Sequence, residues 1–534
     1  MITFSIKPLL TSCLLALAVL HAPATLSAQA FCSDYGESID ETMLDMIPVS
    51  DGDMVHVGWR DNDDFGGRDL HVIKVQPSGM VTWAKTLRLS EVEGQGRIPT
   101  VGRALIQDKN GDLVIVGHTA NNNNVPQDGL LVKMSLAGAF LQVQRISAGS
   151  LLSYSGVDEA DNGDYFVTGR LVRSGQLDDY FIGRVSPTFL PVWSRVSGGT
   201  DRDVPNEVIA LPNDRLAVIG QTRSFGAGGR DWMIVGVSGD GNTLSGSTVL
   251  GGPGDEIAQD IVRIPGTNLV VGSTSSFDPA GQGTFRKLIV AFGNAFTFTS
   301  DLVVGDPKGL PAFAEQITPA PGGGGFLISG RMGEDLDGLL LNPAGAPTAH
   351  VRVAHSGASL TGGFVSVLTN GETALGGTST ESGDSDFFVS KFSAGATCCQ
   401  VDPGFTTENQ PWAITTGSTL EVQQVVVLPV ELGEKEGTEE RPLCPSPKTR
   451  PVLSAEGPVN FEVFPNPARD QFTVRWTGEG EGRLSLRDAF GRVVRTQALV
   501  PGQQEISLRG LAAGVYLLEA QTGSENFNRR LVVE

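Results

Sequence analysis

The chain has 534 residues, a formal net charge of −21, and 68 glycines against only 5 tyrosines. That length exceeds one ordinary domain. The acidity sets nucleic acid and anionic membrane surfaces against it as partners, and no Lys/Arg cluster relieves the repulsion.

In chain order, residues 1–30 read as a secretory signal peptide. Lys7 supplies the positive start, 9–20 is mostly apolar, and Ala28 and Ala30 frame a small-x-small cleavage site that makes Phe31 the mature N-terminus. The apolar run is short of the roughly 20 residues a membrane span requires. No later segment is long and apolar enough to span.

Between Asp40 and Gly395 one unit recurs. It is a Gly/Asn/Asp turn, a short apolar strand closed by glycine, a polar loop and a second apolar strand. Residues 111–119 (GDLVIVGHT) followed by 128–134 (DGLLVKM) are the clearest copy. The closing glycine is Gly58, Gly117, Gly169, Gly220, Gly272, Gly330 and Gly377. Another apolar segment precedes each turn, and Trp83 and Trp193 mark a further strand in two copies, which makes four strands per unit. Asn-Gly, Asp-Gly and Gly-Gly pairs separate the strands, and helical periodicity is nearly absent, so the fold class is all-β. Strands that are continuously apolar need cover on both faces, which blades stacked round an axis provide. The expected architecture is a seven-bladed β-propeller over residues 31–402. The units resemble the β-propeller repeats of large exported bacterial proteins.

Six units place an aspartate before their third strand: Asp69, Asp128, Asp179, Asp231, Asp337 and Asp386. The fifth has Phe285-Arg286-Lys287 there. A ring of metal ligands and an Asx-type turn that caps the loop backbone are the two readings, and repetition in blade after blade favours the turn. The seventh unit lacks a fourth strand. Residues 31–36 are free to supply it, which would bring Cys32 near Cys398 and Cys399, with the remaining thiol available to Cys444. A Cys398–Cys399 bond, a Cys32–Cys444 bond and free thiols are the competing arrangements, and export permits disulfides.

Residues 403–458 break the repeat. One apolar strand at 422–430 precedes a charged run at 431–440, so the stretch reads as linker with a short β segment. From 459 to 534, short alternating strands separated by turn residues indicate a small Ig-like β-sandwich. These residues resemble the type A C-terminal sorting domain of the type IX (Por) secretion system. Pro465, Asn466 and Pro467 precede a strand, Gly491 lies in a DAFGR turn before Val493, and Gly514 and Tyr516 fall in the LAAGVY element. The resemblance implies the type IX machinery as partner, passage across the outer membrane, removal of this domain, and release or surface attachment.

No catalytic constellation stands out: H-E-x-x-H, G-x-S-x-G and a phosphate-binding Gly-Lys pair are all missing. The mature histidines (His56, His71, His118, His350 and His355) lie without metal-ligand spacing. The stretch 108–112 (DKNGD) offers oxygen ligands at alternating positions as calcium loops do, but has no downstream acidic ligand and reads as a hairpin turn. Asp201-Arg202-Asp203, Ser238-Gly239-Asp240-Gly241, Gly254-Asp255-Glu256 and the glycine run 322–325 are weaker candidates. No cofactor is expected, with calcium the one ion left open. The expected function is a monomeric, non-catalytic scaffold that binds a glycan or protein ligand outside the cell. The alternative is a propeller hydrolase or lyase acting on polysaccharide.

Overall fold

Strands such as Leu113–Ala120 and Asp178–Val185 are buried at every residue. A sheet built of such strands needs a neighbour on each face. The computed structural model supplies those neighbours with seven antiparallel blades. It describes residues 31–392 apart from short loop stretches, the strand-forming residues between 400 and 432, and most of 461–533. Blade 1 comprises Glu41–Pro48, Met54–Asp61, Arg68–Val75 and Val81–Thr86, and the next five blades repeat that order. The first strands touch in succession round the axis, and Ser359–Val367 of blade 7 meets Glu41–Pro48 to close the circle.

Each seam between blades holds its own apolar core. Phe166, Tyr180, Leu216 and Val235 pack between blades 3 and 4. Met43, Met46, Ile73, Phe387 and Val389 do so between blades 7 and 1. Burying each such side chain contributes about 1.5–3 kcal/mol.

The repeated glycine has a steric cause. Every first strand slips register once, as between Met43/Asp45 and Ala258/Asp260, and there its backbone is pressed onto the second strand. A Cβ on Gly117 would lie 1.9 Å from the Val101 carbonyl oxygen, and one on Gly272 1.9 Å from that of Ile257. Only glycine fits.

Blade 7 takes three strands from its own repeat, Ser359–Val367, Thr373–Glu381 and Asp384–Phe392. Its outer strand is Phe31–Tyr35, which pairs antiparallel with Asp384–Phe392 over five residues. Tyr35 also donates its hydroxyl to the Gly79 carbonyl in blade 1 (2.9 Å). The N-terminal segment thus closes the ring as the sequence suggests. Cys32 stands opposite Ser390. Its candidate partners Cys398, Cys399 and Cys444 lie outside the described residues.

The stretch expected as linker behaves differently. Gln400–Val401 pairs with the outer strand of blade 6, Thr406–Glu408 with blade 5, Ala413–Thr415 with blade 4, Glu421–Val422 with blade 3 and Val426–Leu428 with blade 2. Glu431–Leu432 then pairs with Leu89–Ser90, in the connection after blade 1. The chain therefore runs back round the rim as a belt, against the order of the blades. It adds a short antiparallel strand to blade after blade. Val422 is 74% exposed and Val426 58%, so pairing goes through the backbone and leaves little hydrophobic pattern to read.

Residues 448–534 form a separate unit. It contains a three-stranded and a four-stranded antiparallel sheet around Phe472, Val474, Leu484, Leu486, Ile506, Leu518 and Leu531.

Unpaired sheet edges are templates for aggregation. A chain ending at residue 399 is expected to melt lower and to aggregate faster than one ending at 432. Scanning calorimetry with light scattering measures both, and identical behaviour would show that the belt contributes nothing to the ring.

Candidate functional site

The repeated aspartates lie in the first residues of the third strands and are buried, where an unanswered carboxylate would be costly. Asp69 pairs with Arg97, Asp128 with Arg145 (2.6 Å) and Asp179 with Arg173 (2.7 Å). Asp231 accepts backbone N–H bonds from Ala227 (3.0 Å) and Gly228 (3.4 Å) in its own loop. Asp386 lies against Gly36, where a Cβ would meet its carboxylate oxygen. The loop-capping turn thus describes Asp231, while an arginine answers the carboxylate in three other blades. The fifth unit's departure is explained here. Lys287, fully buried, reaches into blade 6 and pairs with Asp337 (2.5 Å), whose other oxygen meets His350 Nε2 (2.5 Å). Burial pushes the Asp337 carboxyl up, but the Lys287 charge and the His350 bond outweigh it and hold it below the ordinary range.

Along the axis, the residue after the register slip reaches to the next blade in blades 1, 5 and 6. Asp45 accepts the Leu105 N–H (2.9 Å), Asp260 the Ile317 N–H (2.8 Å) and Gln316 the Val365 N–H (2.7 Å). Gln316 also donates to Asp45 (3.1 Å), which ties blade 6 to blade 1. Burial pushes the Asp45 carboxyl up to about 6 and that of Asp260 to about 7. It pushes Glu207 well above its usual range, and the nearby charges of Asp260, Asp45 and Asp158 push it further. These carboxyls therefore release their protons at higher pH than ordinary ones do. Asp45, Glu207 and Asp260 each stand opposite the residue before a repeat glycine, a periodic signal that the aspartates before the third strands overshadow. Burial also lowers His56, His71 and His118 to about 3, which keeps them neutral.

The connections after the second and the outer strands emerge on one face, because strands within a blade are antiparallel. On that face a cavity of ≈ 270 Å³ lies between blades 3 and 4. Arg170 and Asp178 line it from blade 3, Arg202 from the crossing to blade 4, and Val204, Gln221, Arg223 and Arg230 from blade 4. Asp178 stands 3.5 Å from Arg170 and 3.8 Å from Arg202, and Asp255 pairs with Arg230 (2.9 Å). These residues are scattered over two repeats, and only their convergence distinguishes them.

Several carboxylates of the weaker sequence candidates accept hydrogen bonds from groups close by. Asp108 accepts the Asn110 and Asp112 N–H groups and the Tyr165 hydroxyl, with Lys133 at 3.3 Å. Asp240 accepts from Ser238 and Asn242 within its turn. Asp203 accepts the Gly199 N–H (2.7 Å), and Glu256 accepts the Gly252 N–H (2.8 Å). Gly322 and Gly323 lie outside the described residues. Among the described residues no three His, Cys, Asp or Glu side chains converge as metal ligands do.

In the C-terminal unit, Gly514 opens the strand Gly514–Thr522 and Tyr516 is buried in its core. Pro465, Asn466, Pro467 and Gly491, like Ala28 and Ala30, lie outside the described residues. Residues 462–534 match the family "Secretion system C-terminal sorting domain". The chain carries a type IX sorting domain. It is recognised by the type IX secretion machinery and exported to the cell surface or the extracellular space. No curated protein matches the chain. Among solved structures it is similar to a protein of unknown function from Dyadobacter fermentans (12% identity, 68% of this chain and 97% of that one, TM-score 0.41). It is also similar to a mutant NanB sialidase from Streptococcus pneumoniae (10%, 70% of each chain, TM-score 0.36). A third is an exo-β-1,3-galactanase from Phanerochaete chrysosporium (11%, 75% of this chain and 100% of that one, TM-score 0.27). At such scores these likenesses carry no functional argument. In the sorting-domain protein, the propeller's own residues must supply it.

Lys287→Met should destabilise the chain by about 3–5 kcal/mol, because it leaves the Asp337 carboxylate buried without its cation. Lys287→Met with Asp337→Leu should regain most of that loss in chemical denaturation. A double variant as unstable as the single one would mean that packing, not charge, is at stake. A carboxyl whose folded pKa is raised binds its proton more tightly folded than unfolded, so its contribution to stability falls as pH rises from about 4 to 7. Asp260→Asn should therefore flatten the stability–pH curve across that window, measured by urea denaturation at each pH. An unchanged slope would contradict the shift.

Proposed function

We propose that the exported chain is a monomeric, non-catalytic binding scaffold whose ligand, a glycan or a protein, docks on the face that carries the loops after the second and outer strands. The cavity between blades 3 and 4 carries this reading: it gathers uncommitted polar groups on the loop face, where a rigid scaffold commonly holds its binding residues. Several carboxyls that an acid/base mechanism would draw on are engaged elsewhere. Asp45 and Asp260 hold backbone N–H groups of neighbouring blades, and Asp178 stands between two arginines. We read the C-terminal unit as an Ig-like β-sandwich that serves export, and the chain as needing no cofactor and avoiding nucleic acid.

A glycan and protein-ligand screen on residues 31–534, followed by hydrogen exchange with each binder, tests the proposal. Protection is expected in the loops after the second and outer strands. Protection confined to the opposite face, or turnover of a screened polysaccharide, would overturn it.

A further inference from the structure

We propose that the cavity between blades 3 and 4 binds an acidic sugar, by its carboxylate or sulfate group and an adjacent hydroxyl. This rests on the reading of the propeller as a binding scaffold and names the ligand's chemistry. The chain has 60 acidic residues against 39 lysines and arginines, yet four arginines line this one cavity. Two carboxylates, Asp178 and Asp255, face those four guanidinium groups, which leaves two positive charges unanswered. Among the described residues Arg223 is paired with no carboxylate. Its charge is felt at Asp255 without touching it. Arg202 is 61% exposed and stands 3.8 Å from Asp178, too far for a hydrogen bond. Guanidinium forks match the geometry of carboxylate and sulfate oxygens.

Two orphan atoms refine the ligand. Arg230 Nε is buried without an acceptor, and Gln221 Oε1 is buried without a donor. An unmade bond at a buried polar atom is costly, so both call for partners from outside. Sulfate or a bare carboxylate would satisfy the arginine but bring no hydrogen to Gln221. A sugar that carries an acidic group beside a free hydroxyl answers both. A nucleic acid would have to bring its remaining phosphates against a protein of net charge −21. An acidic peptide offers carboxylates and backbone N–H donors, and the poly-glutamate arm of the titration separates it from the sugar.

Residues 31–534 are titrated calorimetrically at low salt with an oligogalacturonate, a sulfated oligosaccharide, a neutral oligoglucoside and a poly-glutamate peptide. The expected result is binding of the uronate or the sulfated sugar, whichever fits, weakened by salt. Arg202→Ala and Arg223→Ala, both at exposed positions and checked for an unchanged melting temperature, should each weaken it about tenfold. Gln221→Leu should weaken the sugar without affecting a simple anion. Acidic sugar bound equally by the wild type and both arginine variants would overturn the location. Poly-glutamate bound as well as the sugars would overturn the glycan claim. Binding of the neutral oligosaccharide alone would overturn the inference and leave the scaffold function standing. A chain that binds nothing in this set or in the broader screen would overturn both.

Discussion

A blade whose strands are apolar on both faces has no stable existence by itself. Each seam core, such as the one formed by Phe166, Tyr180, Leu216 and Val235, is half built until the next blade arrives. The whole ring therefore depends on the seam where the start of the propeller meets the end of the repeats. Nature of the closure follows from that need. Phe31–Tyr35 completes blade 7, while the Tyr35 ring joins the core with Met43 and Ile73, and its hydroxyl reaches blade 1.

Once the seams are dry, every charge in them must be answered. Asp128 finds Arg145, Asp179 finds Arg173, and Asp337 takes Lys287 from the neighbouring blade. The break in the repeat at Lys287 is thus a compensation between blades, legible only when they are side by side. Against this background of matched charge, a place where guanidinium groups outnumber carboxylates is conspicuous. The cavity of Arg170, Arg202, Arg223 and Arg230 is such a place.

Stacking covers the faces of the blades and leaves their outer edges open. The belt between residues 400 and 432 answers that second exposure, through two or three backbone pairs per blade. Edge strands invite pairing with other chains, and a protein sent out of the cell meets many.

The sequence by itself determined the all-β class and the seven units, because each is written in local periodicity: apolar runs, turn residues and a glycine the adjacent carbonyl demands; the closing strand followed from the fourth strand that the seventh unit lacks. It also determined the sorting domain, whose motifs lie within residues 462–534. It did not disclose the belt, since Val422 and Val426 remain exposed and their pairing uses only backbone atoms common to all residues. The axial carboxyls and the arginine cavity were equally hidden. Asp45, Glu207 and Asp260 come from three blades, and the four arginines from two, so their proximity exists only after the ring has closed. Local pattern fixed the strands. Only tertiary structure decided which side chains share a low-dielectric space, and it is there that charge and hydrogen bonding acquire their consequences.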